Sequence, residues 1–115
     1  MRAFMIGMAI LAGTGAAAAA TTQLPLPGEV EEIRQTYQCS DDQARDVSYY
    51  NSEENSLAVV QTGDSQRIFV NVISGSGARY ASGPYIWWVK GNDADLYDEM
   101  ADKDAKPISC TGAKE

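Results

Sequence analysis

The sequence predicts a small all-β domain, folded as an antiparallel barrel or sandwich. Three observations favour this class. The 115 residues are enough for one domain. The chain contains about eight short segments of strand character, separated by turn signals roughly every six to twelve residues. No segment has a long helical period, so many short strands must share one core.

The predicted elements follow an extended leader, residues 21–33, and the domain itself is expected over residues 34–115. A short helical turn is compatible only with residues 29–35. The strand candidates are residues 35–39, 46–50, 57–61, 67–73, 78–81, 85–90, 94–97 and 106–110. The fourth alternates, with Ile68 and Val70 on one face together with Val72. This pattern predicts one face towards the core and one towards water.

The composition excludes several classes of function. Nine Lys+Arg stand against sixteen Asp+Glu, a net charge of −7, whereas a nucleic-acid binder needs a basic surface. Histidine is absent, which removes Ser-His-Asp and Cys-His catalysis and most zinc sites. Two cysteines are too few for an iron–sulfur cluster. We therefore expect no metal, no cofactor and no nucleic-acid partner.

The first twenty residues have the order of a secretory signal peptide. Arg2 supplies a positive start, an apolar run follows, and residues 16–20 are all alanine, so we expect cleavage after Ala20. The alternative is an uncleaved membrane anchor, because residues 3–20 are uncharged and near the shortest length that spans a bilayer. No cysteine precedes Cys39, so lipid attachment is not supported. We expect an exported, soluble, periplasmic protein without a stable membrane anchor after cleavage.

Cys39 and Cys110 are predicted to form one disulfide. In an exported protein, two cysteines near the ends of the domain are typical of a structural bond. Closing so long a loop stabilises a fold by roughly 4 kcal/mol in the chain-entropy model. A redox-active pair is the alternative, but the cysteines are not in a CxxC arrangement.

The most informative segment is residues 73–91, which opens with a glycine-rich loop. Gly75 and Gly77 flank Ser76, so its hydroxyl is exposed with little side-chain cover. A hairpin across the Ser-Gly-Pro turn brings Lys90 to the same rim of the sheet. In the expected register the opposed pairs are Tyr80 with Trp87, Arg79 with Trp88, and Gly77 with Lys90. A slip of one residue would change the faces of these side chains but would keep Ser76 and Lys90 close. The plainer interpretation is a loop serine and a solvated strand-end lysine.

The chain resembles the membrane-bound and periplasmic inhibitors of c-type lysozyme. Two motifs carry the resemblance: residues 74–80, which read Ser-Gly-Ser-Gly-Ala-Arg-Tyr, and the string Trp88-x-Lys90-Gly91. It implies an eight-stranded antiparallel β-barrel, closed here by the disulfide, and a protein that binds c-type lysozyme and is not an enzyme. By position, Ser76 and Lys90 would enter the lysozyme active-site cleft. The rest of the implied binding set is Gly75, Gly77, Ala78, Arg79, Tyr80 and Gly91.

The chemistry agrees with that implication. Lysozyme works with a pair of carboxylates, and Ser76 and Lys90 offer a hydroxyl donor and a cation to them. The mature chain would carry a net charge of −8, because cleavage removes Arg2. Such a charge speeds association with a basic enzyme, an effect that salt weakens.

Three other functions remain open at this level. An enzyme could use Ser76 as nucleophile and Lys90 as base, but this requires a neutral and therefore buried lysine. A small barrel could hold a ligand, although about 95 residues leave little interior room. The partner could also be one of the cell's own wall-degrading enzymes.

Overall fold

The computed structural model describes residues 23–113 and contains eight antiparallel strands in this part of the chain. They are β1 (Glu31–Cys39), β2 (Ala44–Ser52), β3 (Asn55–Thr62), β4 (Ser65–Val72), β5 (Ala78–Ser82), β6 (Tyr85–Lys90), β7 (Asp93–Asp98) and β8 (Ile108–Gly112). Each pairs with its neighbour in sequence, and β8 returns to pair with β1. The sheet therefore closes into an up-and-down barrel, which leaves no sheet edge. The predicted eight-stranded antiparallel barrel is confirmed.

The first strand begins earlier than the sequence predicts. Residues 31–35 are extended and pair with β2, from Glu31 opposite Asn51 to Gln35 opposite Val47. No helical turn forms there, because this pairing satisfies the backbone groups that a turn would use. The predicted domain start at residue 34 consequently falls inside β1.

The predicted signal peptide, residues 1–20, lies outside the described residues. Of the predicted leader, residues 21–33, the structure describes residues 23–33; residues 31–33 belong to β1, and residues 23–30 precede it and contact the outside of the barrel. Ser52 of β2 donates a hydrogen bond to the carbonyl oxygen of Pro27 and so ties the leader to the barrel. Within residues 23–113, no helix has the length and apolar character needed to cross a bilayer.

Large side chains fill the barrel interior. Trp87 and Phe69 are fully buried. The indole Nε1 of Trp87 donates to the Tyr49 hydroxyl at 2.9 Å, and that hydroxyl shares a 2.7 Å hydrogen bond with Tyr37. Burial raises the pKa of both tyrosines. An eight-stranded barrel has room for such side chains and little more, so the interior is a packed core.

The fourth strand has its apolar β-branched residues on the outside of the barrel. Ile68 is 55% exposed, while Phe69 beside it is fully buried. Cross-strand partners share a face, and Phe69 is opposed to the buried Ala58 whereas Ile68 is opposed to Val59. The outer face is not left wholly to water, because Leu24 of the leader lines a groove with Ile68 and Val59.

A disulfide crosses the seam where the barrel closes. Cys39 of β1 and Cys110 of β8 are directly opposed partners and are bonded to each other, as the sequence predicts. The bond spans 71 residues, nearly the whole barrel. The disulfide therefore links β1 to β8, the one pair of adjacent strands in the barrel that do not follow each other in the sequence.

The strand connections are divided between the two ends of the barrel. One end carries the β2–β3 turn, the β4–β5 loop and the β6–β7 turn; the other carries the remaining connections. At this second end Arg45 is only 2% exposed and forms a two-pronged ion pair with Asp41, at 2.8 and 2.9 Å. Its Nε also donates to the carbonyl oxygen of Gln61. Each of the three guanidinium nitrogens of Arg45 thus donates a hydrogen bond.

Candidate functional site

The residues singled out in the sequence gather at the first end of the barrel. The β4–β5 loop, residues 73–77, is called the Ser76 loop below. It leads into β5, whose partner β6 ends at Lys90. Gly91 then begins the turn into β7 with a φ of +62°, a conformation that glycine adopts without cost. Up-and-down connectivity is what brings the loop and the turn to the same rim.

The β5–β6 hairpin has the register that the sequence predicts. Arg79 is opposed to Trp88, and Ala78 to Val89. Gly77 precedes this pairing and lies against the strand end. A Cβ at Gly77 would clash with the carbonyl oxygen of Val89 and would lie 3.1 Å from Cγ of Lys90. Its φ is +67°. Both the conformation and the close approach therefore require glycine at this position.

Trp88 contacts both halves of the site. Its indole Nε1 donates a 2.9 Å hydrogen bond to the carbonyl oxygen of Ser76. The ammonium nitrogen of Lys90 lies 4.6 Å from the Trp88 ring centroid, and Cζ of Arg79 lies 5.6 Å from it. Both distances are within the range of cation–π attraction. The contact between Arg79 and Trp88 is the one that their opposition in the hairpin predicts.

The Ser76 loop is shaped by its own hydrogen bonds. The Ser74 hydroxyl donates to the carbonyl oxygen of Ser76, and the backbone N–H of Ser76 donates to the Ser74 hydroxyl at 3.3 Å. The Ser76 carbonyl thus accepts from Ser74 and from Trp88. The Ser76 side chain is exposed, and its hydroxyl makes no hydrogen bond to any other described residue.

Lys90 is exposed and available to a partner. Of the ion pairs within residues 23–113, one joins Arg34 to Glu32 and the other Arg45 to Asp41, so neither uses Lys90. Its observed neighbour is the aromatic face of Trp88. The site therefore combines an uncommitted hydroxyl and an uncommitted ammonium on one rim. An exposed lysine does not fit the buried base that a Ser-Lys enzyme needs.

The other residues of the predicted set divide into two groups. Gly75, Gly77 and Gly91 are exposed, and Ala78 and Arg79 are half-buried. Tyr80 is different, because it is only 7% exposed and its ring lies 5.8 Å from that of Tyr49 in the core. Burial raises its pKa. The structure thus brings the three glycines and Arg79 to the surface of one rim, whereas Tyr80 lies in the core and Ala78 packs against it.

Two residues of the site are not in the predicted binding set. Trp88 belongs to the second motif; alternation along the strand predicts that one of Trp87 and Trp88 is buried and the other is at the surface, and the structure shows that Trp87 is the buried one. Ile73, at the start of the Ser76 loop, is 92% exposed. The sequence does not indicate this exposure, because Ile73 follows an apolar strand and looks like a continuation of it.

A depression lies at the end of the barrel opposite the Ser76 loop. It has a volume of about 730 Å³ and is lined by the β7–β8 connection, Tyr85 and Arg45. Charges of both signs surround it, and Arg45 there is already engaged by Asp41. Across residues 23–113, no cluster of His, Cys, Asp and Glu could hold a metal ion.

Comparison with known proteins gives a consistent result at the level of sequence. A family model described as "Membrane-bound lysozyme-inhibitor of c-type lysozyme" matches residues 37–105. A Pseudomonas aeruginosa protein named membrane-bound lysozyme inhibitor of C-type lysozyme is 44% identical over 95 residues, which are 80% of this chain and 73% of that protein. A Cupriavidus necator protein of the same name is 38% identical over 107 residues, 87% of this chain and 83% of its own.

A solved structure shares the fold. It is the crystal structure of Pseudomonas aeruginosa MliC in complex with hen egg white lysozyme, and it superposes with a TM-score of 0.69. The identity is 37%, and the match covers 84% of this chain and 98% of that one. The similarity therefore extends over nearly the whole of the neighbour's barrel.

Proposed function

Because the chain belongs to the family of membrane-bound lysozyme inhibitors of c-type lysozyme, we propose that it inhibits a c-type lysozyme by inserting the Ser76 loop and Lys90 into the active-site cleft. Members of this family are inhibitor proteins and not enzymes. The family neighbour of known structure is a complex with hen egg white lysozyme, which supports the same class of partner here.

One observation carries the mechanism: Ser76 and Lys90 project from one rim with their donors unengaged by other described residues. Because neither group has a hydrogen bond or an ion pair within the described residues, each can bond to a partner without first breaking one. The loop that carries Ser76 has glycine on both sides, so it is narrow. This shape suits a groove that evolved to accept a polysaccharide strand.

The chemistry of the target explains why these two groups suffice. Lysozyme has a protonated general acid and an ionised carboxylate in its cleft. The Ser76 hydroxyl can donate to a carboxylate oxygen, and the Lys90 ammonium brings three donors and a charge. Hydrogen bonds with a charged partner are about twice as strong as neutral ones. Occupied in this way, the carboxylates can neither protonate nor stabilise a sugar substrate.

The decisive experiment is a titration of hen egg white lysozyme with the mature protein, residues 21–115, using cell-wall lysis as the readout. We expect stoichiometric inhibition. Ser76→Ala and Lys90→Ala should each weaken it by about tenfold or more, because each removes a hydrogen bond to a charged group. Matched controls are Ser65→Ala and Lys103→Ala, which remove an exposed serine and an exposed lysine at the other end of the barrel. Wild-type inhibition by both site variants would overturn the mechanism.

Salt provides a second test of the same proposal. The net charge of −8 expected after cleavage favours encounter with a basic enzyme. Raising ionic strength should therefore slow association more than it changes dissociation. An association rate independent of salt would contradict the electrostatic part of the proposal.

We further propose that residues 1–20 are a signal peptide cleaved after Ala20, leaving a soluble periplasmic protein. The support is the order of charge, apolar run and alanines, together with the absence of a cysteine before Cys39. The intact mass of the protein recovered from the periplasm tests this directly. A mass that includes residues 1–20, or an added lipid, would contradict it.

A further inference from the structure

Trp88 links the two halves of the site, and this suggests a role beyond packing. We infer that Trp88 is the positioning residue of the inhibitory rim: its indole holds the Lys90 ammonium and the Ser76 loop in a fixed mutual arrangement before the partner arrives. The inference rests on the proposed function, because it concerns how the same two groups are presented.

The first line of support is the environment of Lys90. Trp88 and Lys90 are two positions apart on β6 and so share the outer face of the strand. The ammonium nitrogen lies 4.6 Å from the ring centroid, and no described carboxylate forms an ion pair with it. A free lysine side chain samples many rotamers, all but one of which are lost on binding. Attraction to the Trp88 ring reduces the number of rotamers that Lys90 samples before the partner binds.

The second line of support is the hydrogen bond to the loop. Indole is a donor only, and its N–H is directed at the carbonyl oxygen of Ser76 at 2.9 Å. A Cβ at Gly77 would lie 3.2 Å from the same Nε1, so glycine is what allows the indole to reach this carbonyl. One rigid side chain therefore contacts the loop through its edge and the lysine through its face.

The third line of support is that Trp88 is itself held in place. It is half-buried, its ring centroid lies 6.3 Å from that of Tyr97, and Arg79 lies 5.6 Å from it on the opposed strand. A contact with a fixed ring restricts a flexible partner more than a contact with another flexible chain does. Groups held in the bound geometry lose less entropy on association, which raises affinity without any new contact.

Two substitutions separate the two contacts. Trp88→Phe removes the N–H donor and keeps an aromatic face, whereas Trp88→Leu removes both. Binding to hen egg white lysozyme should weaken by about fivefold for Trp88→Phe, and by about fivefold more for Trp88→Leu, the sizes expected for one hydrogen bond and one cation–π contact. The matched control is Tyr85→Leu, which removes an aromatic ring 5.0 Å from Arg67 at the opposite end of the barrel. It should leave binding unchanged.

A double-mutant cycle distinguishes positioning from a direct contact of Trp88 with the enzyme. If the aromatic face of Trp88 acts by holding Lys90, its removal has no effect once Lys90 is gone, so Trp88→Leu and Trp88→Phe bind equally well in the Lys90→Ala background. If the indole N–H acts by holding the Ser76 loop, Trp88→Phe has no effect on binding in the Ser76→Ala background. The same losses in every background would mean that Trp88 contacts lysozyme itself and would overturn the inference.

A measurement without lysozyme makes the inference independent of inhibition. In the free protein, the ε-methylene protons of Lys90 should be shifted upfield by the Trp88 ring current. The shift should persist in Trp88→Phe and disappear in Trp88→Leu. An unshifted Lys90 in the wild type would overturn the inference even if inhibition is confirmed. Wild-type inhibition by Ser76→Ala and Lys90→Ala would instead be a failure of the proposed function.

Discussion

Gly77 lies so close to the carbonyl oxygen of Val89 that a Cβ at this position would clash with it. The φ of Gly77 is +67°, in the left-handed region that side chains disfavour. The contact fixes where the Ser76 loop enters β5 and so where Ser76 lies relative to Lys90.

Gly77→Ala should therefore move the loop and weaken inhibition of lysozyme. The left-handed conformation alone costs about 1–2 kcal/mol, and relief of the clash displaces the strand end. Thermal unfolding and inhibition, measured together, check both effects. Gly75→Ala is the control for stability, because its φ is not positive and a Cβ there meets nothing within 4 Å. Equal stability of the two variants would contradict this account.

Removal of the seam disulfide should destabilise the barrel without altering the site. Cys39→Ser is expected to lower the free energy of unfolding by about 4 kcal/mol, because the bond spans 71 residues. Denaturant unfolding measures the loss. The fraction of molecules that remains folded should inhibit with unchanged affinity, since Cys110 is buried and lies on β8, two strands from Lys90 on β6. A folded variant with weakened affinity would show that the seam controls the site.

Asp41→Asn should destabilise the end of the barrel opposite the site. Arg45 is 2% exposed, so loss of its carboxylate leaves a buried charge without its ion pair, at a cost of about 3 kcal/mol. The control is Glu32→Gln, which removes the exposed ion pair with Arg34 and should change stability far less, because water and salt screen an exposed pair. If denaturant unfolding shows equal losses of unfolding free energy in Asp41→Asn and Glu32→Gln, the stabilising role of the Arg45–Asp41 ion pair is contradicted. Inhibition should persist in both variants.

The Asp41 ion pair also predicts an acid dependence. The hydrogen bonds from Arg45 lower the pKa of Asp41 below its ordinary value of 3.8. The folded state thus favours the ionised carboxylate, so this stabilisation is present above the ordinary pKa and is lost as the pH falls through the lowered one. The difference in unfolding free energy between wild type and Asp41→Asn should shrink in that range. A difference constant with pH would contradict the pairing.

The buried tyrosines predict loss of stability at alkaline pH. Burial raises the pKa of Tyr37, Tyr49 and Tyr80 above the ordinary 10.0. The folded state therefore retains these protons more tightly, so the stabilisation is intact below the ordinary pKa and is lost as the pH rises above it. Unfolding free energy measured against pH, with tyrosinate absorbance as a second probe, checks this. Unchanged stability in strong alkali would contradict it.

Tyr49→Phe tests the same network at neutral pH. It leaves the Trp87 N–H without its acceptor and should cost about 1–3 kcal/mol of unfolding free energy. Tyr97→Phe is the control, because Tyr97 is half-buried and forms no hydrogen bond within the described part of the chain. Similar losses of unfolding free energy in the two variants would mean that the hydrogen bonds of the Tyr49 hydroxyl do not stabilise the core.

Much of the fold follows from local chemistry. Turn residues divide the chain into eight segments, and each predicted segment overlaps an observed strand. The register of the β5–β6 hairpin agrees with a two-residue turn after Ser82, which sets Ser82 opposite Tyr85. The disulfide follows from the number and spacing of the cysteines.

The direction of several side chains does not follow from local chemistry. In β4 both faces carry apolar residues, Phe69 on one and Ile68 on the other, so alternation alone cannot choose between them. The choice depends on β3, where Ala58 leaves room inside for the larger Phe69 ring. Tyr80 is another case, because its place in the core depends on Tyr49, which lies 31 positions earlier in the chain.

The sequence by itself determined the class of fold, the closing disulfide, the β5–β6 register and the residues that resemble the inhibitors, since each depends on residue type and short-range spacing. Only the tertiary structure decided that Trp88 meets both Lys90 and the Ser76 carbonyl. That meeting requires the left-handed turn at Gly77 and the outward face of β6 at once. The physical reason is that strand pairing is set by backbone hydrogen bonds, whereas contacts of an indole depend on where the completed barrel directs it.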